Sequence, residues 1–184
     1  MEYYFTLTGV IDAKLVADTI IWSNAQFLSG GMTKLRFHIS SIGGDVDSAL
    51  RLYDFLKALP VEIEMIGFGQ VDSAANIIFL AGTKRIAVRN CRFLLHQGTF
   101  NGHQGSVPLV MHEEAMRLFN ELHRRHVEII AKETGKNKTD IEKLLKEGKI
   151  LNTTEAKEIG IVHEVIEKFS SLPSQASPTN VTGA

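Results

Sequence analysis

A single cysteine, Cys91, occurs in the 184-residue chain, so no internal disulfide is possible, and this suits a reducing compartment. Charge of one sign is also missing. A formal net charge of −1 gives no electrostatic reason to expect nucleic acid or an anionic membrane surface as a partner. No apolar run reaches membrane-spanning length, and Met1-Glu2-Tyr3-Tyr4-Phe5 carries an acid where a signal peptide carries lysine or arginine. The expected setting is the cytoplasm, without a membrane. Internal repeats are lacking. Gly43-Gly44 has neither a following lysine nor Gly-x-Gly-x-x-Gly spacing, which argues against a phosphate cradle.

What is present is ordinary for one globular domain: 44% apolar and 22% charged residues over a length that can bury a sizeable core. The first half alternates strand and helix patterns. Tyr3 to Leu7 reads as a strand ended by Gly9. Asp12 is positioned to cap a helix whose apolar positions Leu15, Val16, Ile20, Ile21, Ala25 and Phe27 recur every three to four residues up to Gly30-Gly31. Leu35 to Ile39 is a second strand, Val46 to Leu59 a second helix stopped by Pro60, and Val61 to Phe68 a buried third strand. Such alternation predicts an α/β domain with parallel pairing.

Farther on, strands are expected at Arg85 to Val88 and Arg92 to His96, with a glycine-bearing loop over 97–105 between the second of these and a helix over 107–134. That helix is long for so small a domain and is expected to project from the body and pack on something else, another subunit being one candidate. Asp140 to Lys146 reads as a short helix. Asn152-Thr153-Thr154-Glu155 has capping-box spacing for another, and Ile161 to Ile166 is a last strand. Residues 1–169 form the expected domain. The remainder, 170–184, is rich in serine, threonine, proline and glycine and is expected to be disordered.

The chain is organised around Gly67-Phe68-Gly69-Gln70-Val71-Asp72-Ser73-Ala74-Ala75-Asn76, where a buried strand gives way to a helix of small residues. A hydroxyl at this junction sits beside the free N–H groups of a first helical turn, where it can attack a carbonyl and leave the developing oxyanion facing donors. The plainer reading is that Ser73 caps the helix. His96 ends an apolar strand, where an imidazole is either a satisfied core ring or the partner of a nucleophile.

Four segments resemble, in order and rough spacing, the proteolytic subunit of the Clp protease: Ser41-Ile42-Gly43-Gly44, Gly69 to Ala75, Phe93-Leu94-Leu95-His96-Gln97, and Thr153 to Val162. The resemblance covers nearly all of Phe5 to Ile166. It implies the Clp protease and crotonase fold, a superhelix of repeated β-β-α units, and a serine peptidase in which Ser73 attacks the peptide carbonyl and His96 takes its proton. It further implies an oxyanion hole from the Gly44 and Ala74 N–H groups, with glycine at 43 and 44 letting the backbone approach substrate. No cofactor or metal is implied. The implied assembly is a homo-oligomer, a heptameric ring or double ring that admits short or unfolded peptides. The chain begins almost at its first core strand, so partnership with an unfolding ATPase is not expected.

Where the family carries an aspartate that orients the histidine, this sequence has Gly148. Glu147 is the first candidate for that task, with Asn152 or a water behind it. Asp72, beside the nucleophile, opposes an oxyanion if it faces the site and is harmless if it faces away. Gly98 stands where the family usually has proline. His112, His123 and His126 on the long helix, the last two one turn apart, lack the Cys or carboxylate that completes a metal set. Two other classes stay open: a non-catalytic ring subunit, supported by Gly148, and a crotonase-like acyl-CoA enzyme.

Overall fold

A computed structural model describes residues 1–99, 106, 108–169 and the backbone of 179–182. The element order is β1 (Glu2–Thr8), α1 (Ala13–Leu28), β2 (Lys34–Ser41), α2 (Val46–Ala58), β3 (Glu62–Asp72), α3 (Ala75–Phe79), β4 (Lys84–Val88), β5 (Arg92–Leu95), α4 (Leu109–Thr134), α5 (Lys138–Glu147), β6 (Lys149–Leu151), α6 (Thr153–Glu158), β7 (Glu164–Ile166) and β8 (Thr179–Thr182). Every strand pair is parallel except β5 with β6. Parallel neighbours need crossovers, and α1 and α2 supply them between β1, β2 and β3.

Alternation decides which sheet face is covered. In β2, Leu35, Phe37, Ile39 and Ser41 are buried while their neighbours are half-buried. Phe5 pairs in register with Phe37, and its ring lies 5.0 Å from that of Phe37 and 4.9 Å from that of Trp22 on α1. Each such aromatic removed from water contributes about 1.5–3 kcal/mol. The caps expected from sequence form as well. Asp12 accepts from the Leu15 N–H at 2.7 Å, and Asn152 and Glu155 make both halves of the capping box.

β3 is where the fold departs most from simple alternation. The third strand, expected to end at Phe68, runs on through Gly69 to Asp72. Its first half, Glu64 to Gly67, pairs with β4, and its second half, Gln70 to Asp72, pairs with β5. Between them Gly69 takes φ +64°, and the ladder to β2 slips: Ile39 faces Gly67 but Ser41 faces Val71. Extra residues on one strand bend it and raise its twist. One strand therefore serves two partners in turn, and its last residues pair with β5.

Arg85, 3% exposed, has no distinct signal in the sequence and ties the far side together. Its guanidinium donates to the carbonyls of Ile161 (2.8 Å), Glu133 (2.8 Å), Gly160 (3.0 Å) and Gly82 (3.1 Å), joining β4 to the end of α4 and the turn before β7. Along α4, Leu109, Val110, Met111, Met116 and Leu118 are exposed, whereas Val127, Ile130 and Ala131 are buried. Among the described residues, the buried positions of the helix all lie in its second half. The start of the expected helix at Val107 and the loop beyond Thr99 lie outside the described residues. In the tail, Thr179–Thr182 forms a parallel edge strand beside β1, a pairing that the serine- and proline-rich composition does not suggest. The rest of 170–184 lies outside the described residues. No helix among the described residues is long and apolar enough to cross a membrane.

Candidate active site

Ser73 follows β3 directly and takes φ +56°, the one non-glycine residue with positive φ among those described. The left-handed region costs an L-residue about 1–3 kcal/mol, and the surroundings hold Ser73 there. Its N–H donates to the Leu94 carbonyl at 2.8 Å. The fully buried Asn76 donates through Nδ2 to the carbonyls of Ser73 (3.1 Å) and Leu94 (2.9 Å). These bonds clamp the elbow to β5. Asn76 is a supporting residue that sequence reasoning misses, since an asparagine in a small-residue helix carries no distinct signal. Ser73 does not cap α3: the N-cap position is Ala74, and no hydrogen bond joins the Ser73 hydroxyl to the helix among the described residues.

The Gly43-Gly44 turn lies against this elbow. Gly43 takes φ +91°, and a Cβ on it would stand 2.6 Å from Ser73 Cβ and 3.0 Å from the Ala74 nitrogen. Only hydrogen fits. Gly44 takes φ +149°, and a Cβ there would meet the Ile11 carbonyl oxygen at 2.2 Å. Ser41 holds the turn by accepting from the Gly43 N–H at 3.0 Å and donating to the Gly9 carbonyl at 2.6 Å. Gly44 bridges Ile11 in parallel, with bonds from Ile11 N–H to the Gly43 carbonyl and from Asp45 N–H to the Ile11 carbonyl. In a parallel bridge of that kind the central residue's own N–H points away. Among the described residues, neither the Gly44 nor the Ala74 N–H meets an acceptor.

His96 leaves the end of β5 half-buried. Gly44, Ser73 and His96 line one cavity of about 360 Å³, whose opposite wall is Phe119, Leu122, His123 and His126 from α4. Those four positions recur every three to four residues and so share a helix face. His126 is 4% exposed, and its Nε2 meets no partner among the described residues. Burial first, and then the neighbouring His123 and His96, push its pKa down to about 4, so the ring is neutral near pH 7. Sequence spacing alone groups His123 and His126 as a surface or a weak metal pair; the structure puts both on this cavity's wall. Among the described residues no cluster of three or more histidine, cysteine, aspartate or glutamate side chains is placed to hold a metal.

Leu95 pairs with Lys149 across β5 and β6, so continuing the antiparallel register by one residue sets Gly148 opposite His96. Gly148 ends α5 at φ +66°, and a Cβ there would have nothing within 4 Å. Position 148 thus offers His96 no carboxylate. Glu147 finds no support as the orienting group. It is exposed, lies 4.0 Å from the Lys143 ammonium and lines a different cavity with Lys136, Asp140 and Lys143. Asn152 is spent on its capping box. Asp72 does not line the Ser73 cavity; its Oδ2 accepts from Arg92 at 2.7 and 3.1 Å. Cys91 is buried, and burial with the nearby Asp72 charge pushes its thiol up to about 12, which leaves it unreactive.

Residues 9–169 match the family model described as Clp protease. The chain belongs to the Clp protease family. Among proteolytic subunits of the ATP-dependent Clp protease, subunit 2 of Frankia casuarinae is 36% identical over 140 residues, 74% of this chain and 63% of that protein. Subunit 1 of Thermobifida fusca is 35% identical over 136 residues, 72% of this chain and 60% of that protein. The chain thus spans less than two thirds of the length of these relatives. A solved structure of a ClpP1 point mutant from Listeria monocytogenes superposes with a TM-score of 0.79 at 26% identity, covering 90% of this chain and 91% of that one. The mixed α/β architecture is therefore that of the Clp protease and crotonase fold.

Proposed function

We propose that this Clp family member is a serine peptidase in which Ser73 is the nucleophile and His96 the general base. One observation carries the reading: a hydroxyl on a strained strand-to-helix elbow and an imidazole from a neighbouring strand open onto a single cavity together with Gly44. In the reaction Ser73 Oγ attacks the peptide carbonyl while its proton passes to His96. The tetrahedral oxyanion is met by the N–H groups of Gly44 and Ala74, each such donor being worth about 10²–10³ in rate. Collapse expels the amine with the proton from His96, and a water repeats the sequence on the acyl-enzyme.

The substrate class is short or unfolded peptide. Assembly into a ring, heptameric and single or paired, is supported by the exposed apolar residues on the first half of α4, which need a covering partner. Cleavage of short peptides requires no unfolding ATPase. Gly148 favours a second reading, a ring subunit that binds peptide without cutting it, since loss of the orienting carboxylate removes on the order of 10⁴ in turnover in related triads. A fluorophosphonate probe separates the two. Modification of Ser73 that disappears in Ser73→Ala and in His96→Ala supports the peptidase; an unmodified Ser73 in a folded oligomer supports the second reading.

A further inference from the structure

Asp72 immediately precedes Ser73 and is 2% exposed, so a full negative charge sits in a poorly solvated place one residue from the nucleophile. Such a charge opposes an oxyanion developing nearby, and low local dielectric enlarges the effect. One oxygen, Oδ1, has no hydrogen-bond partner among the described residues. The other accepts from both Nη2 (2.7 Å) and Nε (3.1 Å) of Arg92, whose Nη2 also reaches Gln70 Oε1 at 2.8 Å. Arg92 begins β5 and His96 follows its end. Asp72 ends β3 and Ser73 follows it. The two strands pair over only three positions, Gln70 with Arg92, Val71 with Phe93 and Asp72 with Leu94. The same ion pair that neutralises the carboxylate therefore lies between the strands that carry the nucleophile and the base. As a stabilising device it has little to recommend it, since partly buried ion pairs often contribute less than apolar side chains of the same volume.

We propose that Arg92 is a positioning residue for peptide hydrolysis, acting through Asp72 by cancelling the buried negative charge beside Ser73. The inference rests on the serine peptidase reading above. Its signature is conditional: loss of the cation harms the reaction only while the carboxylate is charged. The test compares Arg92→Ala with the double variant Asp72→Asn/Arg92→Ala, measuring fluorophosphonate labelling of Ser73 and kcat/KM on a short fluorogenic peptide, with denaturation confirming that each variant is folded. Arg92→Ala is expected to lose tenfold or more in both rates, and the double variant to regain most of that loss. Because removing both partners can also relieve a merely structural pair, Arg92→Lys is measured beside them: it keeps the cation but loses the two-pronged contact, so rates close to wild type mark charge cancellation, and a loss equal to that of Arg92→Ala overturns the inference. A double variant no faster than Arg92→Ala, or an Arg92→Ala protein as fast as wild type, overturns the inference and leaves the peptidase reading intact. A folded wild-type protein that neither labels nor cleaves overturns both.

Discussion

His126 gives this protein a pH dependence of stability that can be worked out in advance. The imidazole is 4% exposed on α4, beside the buried Val127, Ile129 and Ile130, and among the described residues its Nε2 has no partner. Burial, then His123 and His96, lower its pKa from an ordinary 6.5 to about 4. In the unfolded chain the ring regains the ordinary value, so between these two values the unfolded state binds more protons. Stability therefore falls as pH drops through 6.5, and the loss levels off below the folded-state value. A displacement of that size amounts to about 3 kcal/mol at its limit, of which roughly 2 kcal/mol is lost between about pH 7.5 and about pH 5. The perturbation is His126→Met, which keeps an apolar filling of similar volume and removes the titrating group. Urea unfolding of wild type and variant across that range is the assay, with the difference between the two proteins cancelling every other titrating group. Near neutral pH the variant is expected to match or exceed wild type, because an unpartnered buried nitrogen is lost. Parallel loss of stability in the two proteins on acidification would refute the reasoning.

Three further outcomes follow from the geometry of the site. Gly148→Asp is expected to raise kcat at least tenfold on short peptides, because a Cβ there meets open space opposite His96 and aspartate tolerates a left-handed backbone better than most residues; an unchanged kcat refutes it. Gly43→Ala should abolish labelling of Ser73 in a folded chain, since its Cβ would sit 2.6 Å from that of Ser73, and retention of normal labelling would show that the turn can move away. Ser73→Gly should unfold at a higher denaturant concentration than Ser73→Ala by about 1 kcal/mol, the strain of φ +56° being relieved only by glycine; equal midpoints would mean the elbow is unstrained.

How much of this is legible beforehand depends on whether the deciding interaction is local. Asp12, Asn152 with Glu155, and the alternation through β2 act within a few residues, so the caps and strand faces follow from the chain alone. The extent of β3 does not, because a bulge at Gly69 and a change of partner from β4 to β5 are settled by other strands. Asn76, Arg85 and His126 escape for the same reason: each gets its role from what packs around it, and a buried arginine or asparagine looks in sequence like a solvated one.

By itself, then, the sequence determined an α/β chain with parallel order, a serine at a strand-to-helix junction and a capping box from Asn152 to Glu155. Residue spacing encodes periodicity, and each of these is a matter of spacing. Tertiary structure alone decided that Ser73 and His96 open onto one cavity, that Gly43 must lack a side chain to allow it, that Glu147 lies on another cavity, and that the charge of Asp72 is met by Arg92. Those facts are distances between residues far apart in the chain, fixed by the bend in β3 and the short pairing of β5, which no local pattern contains.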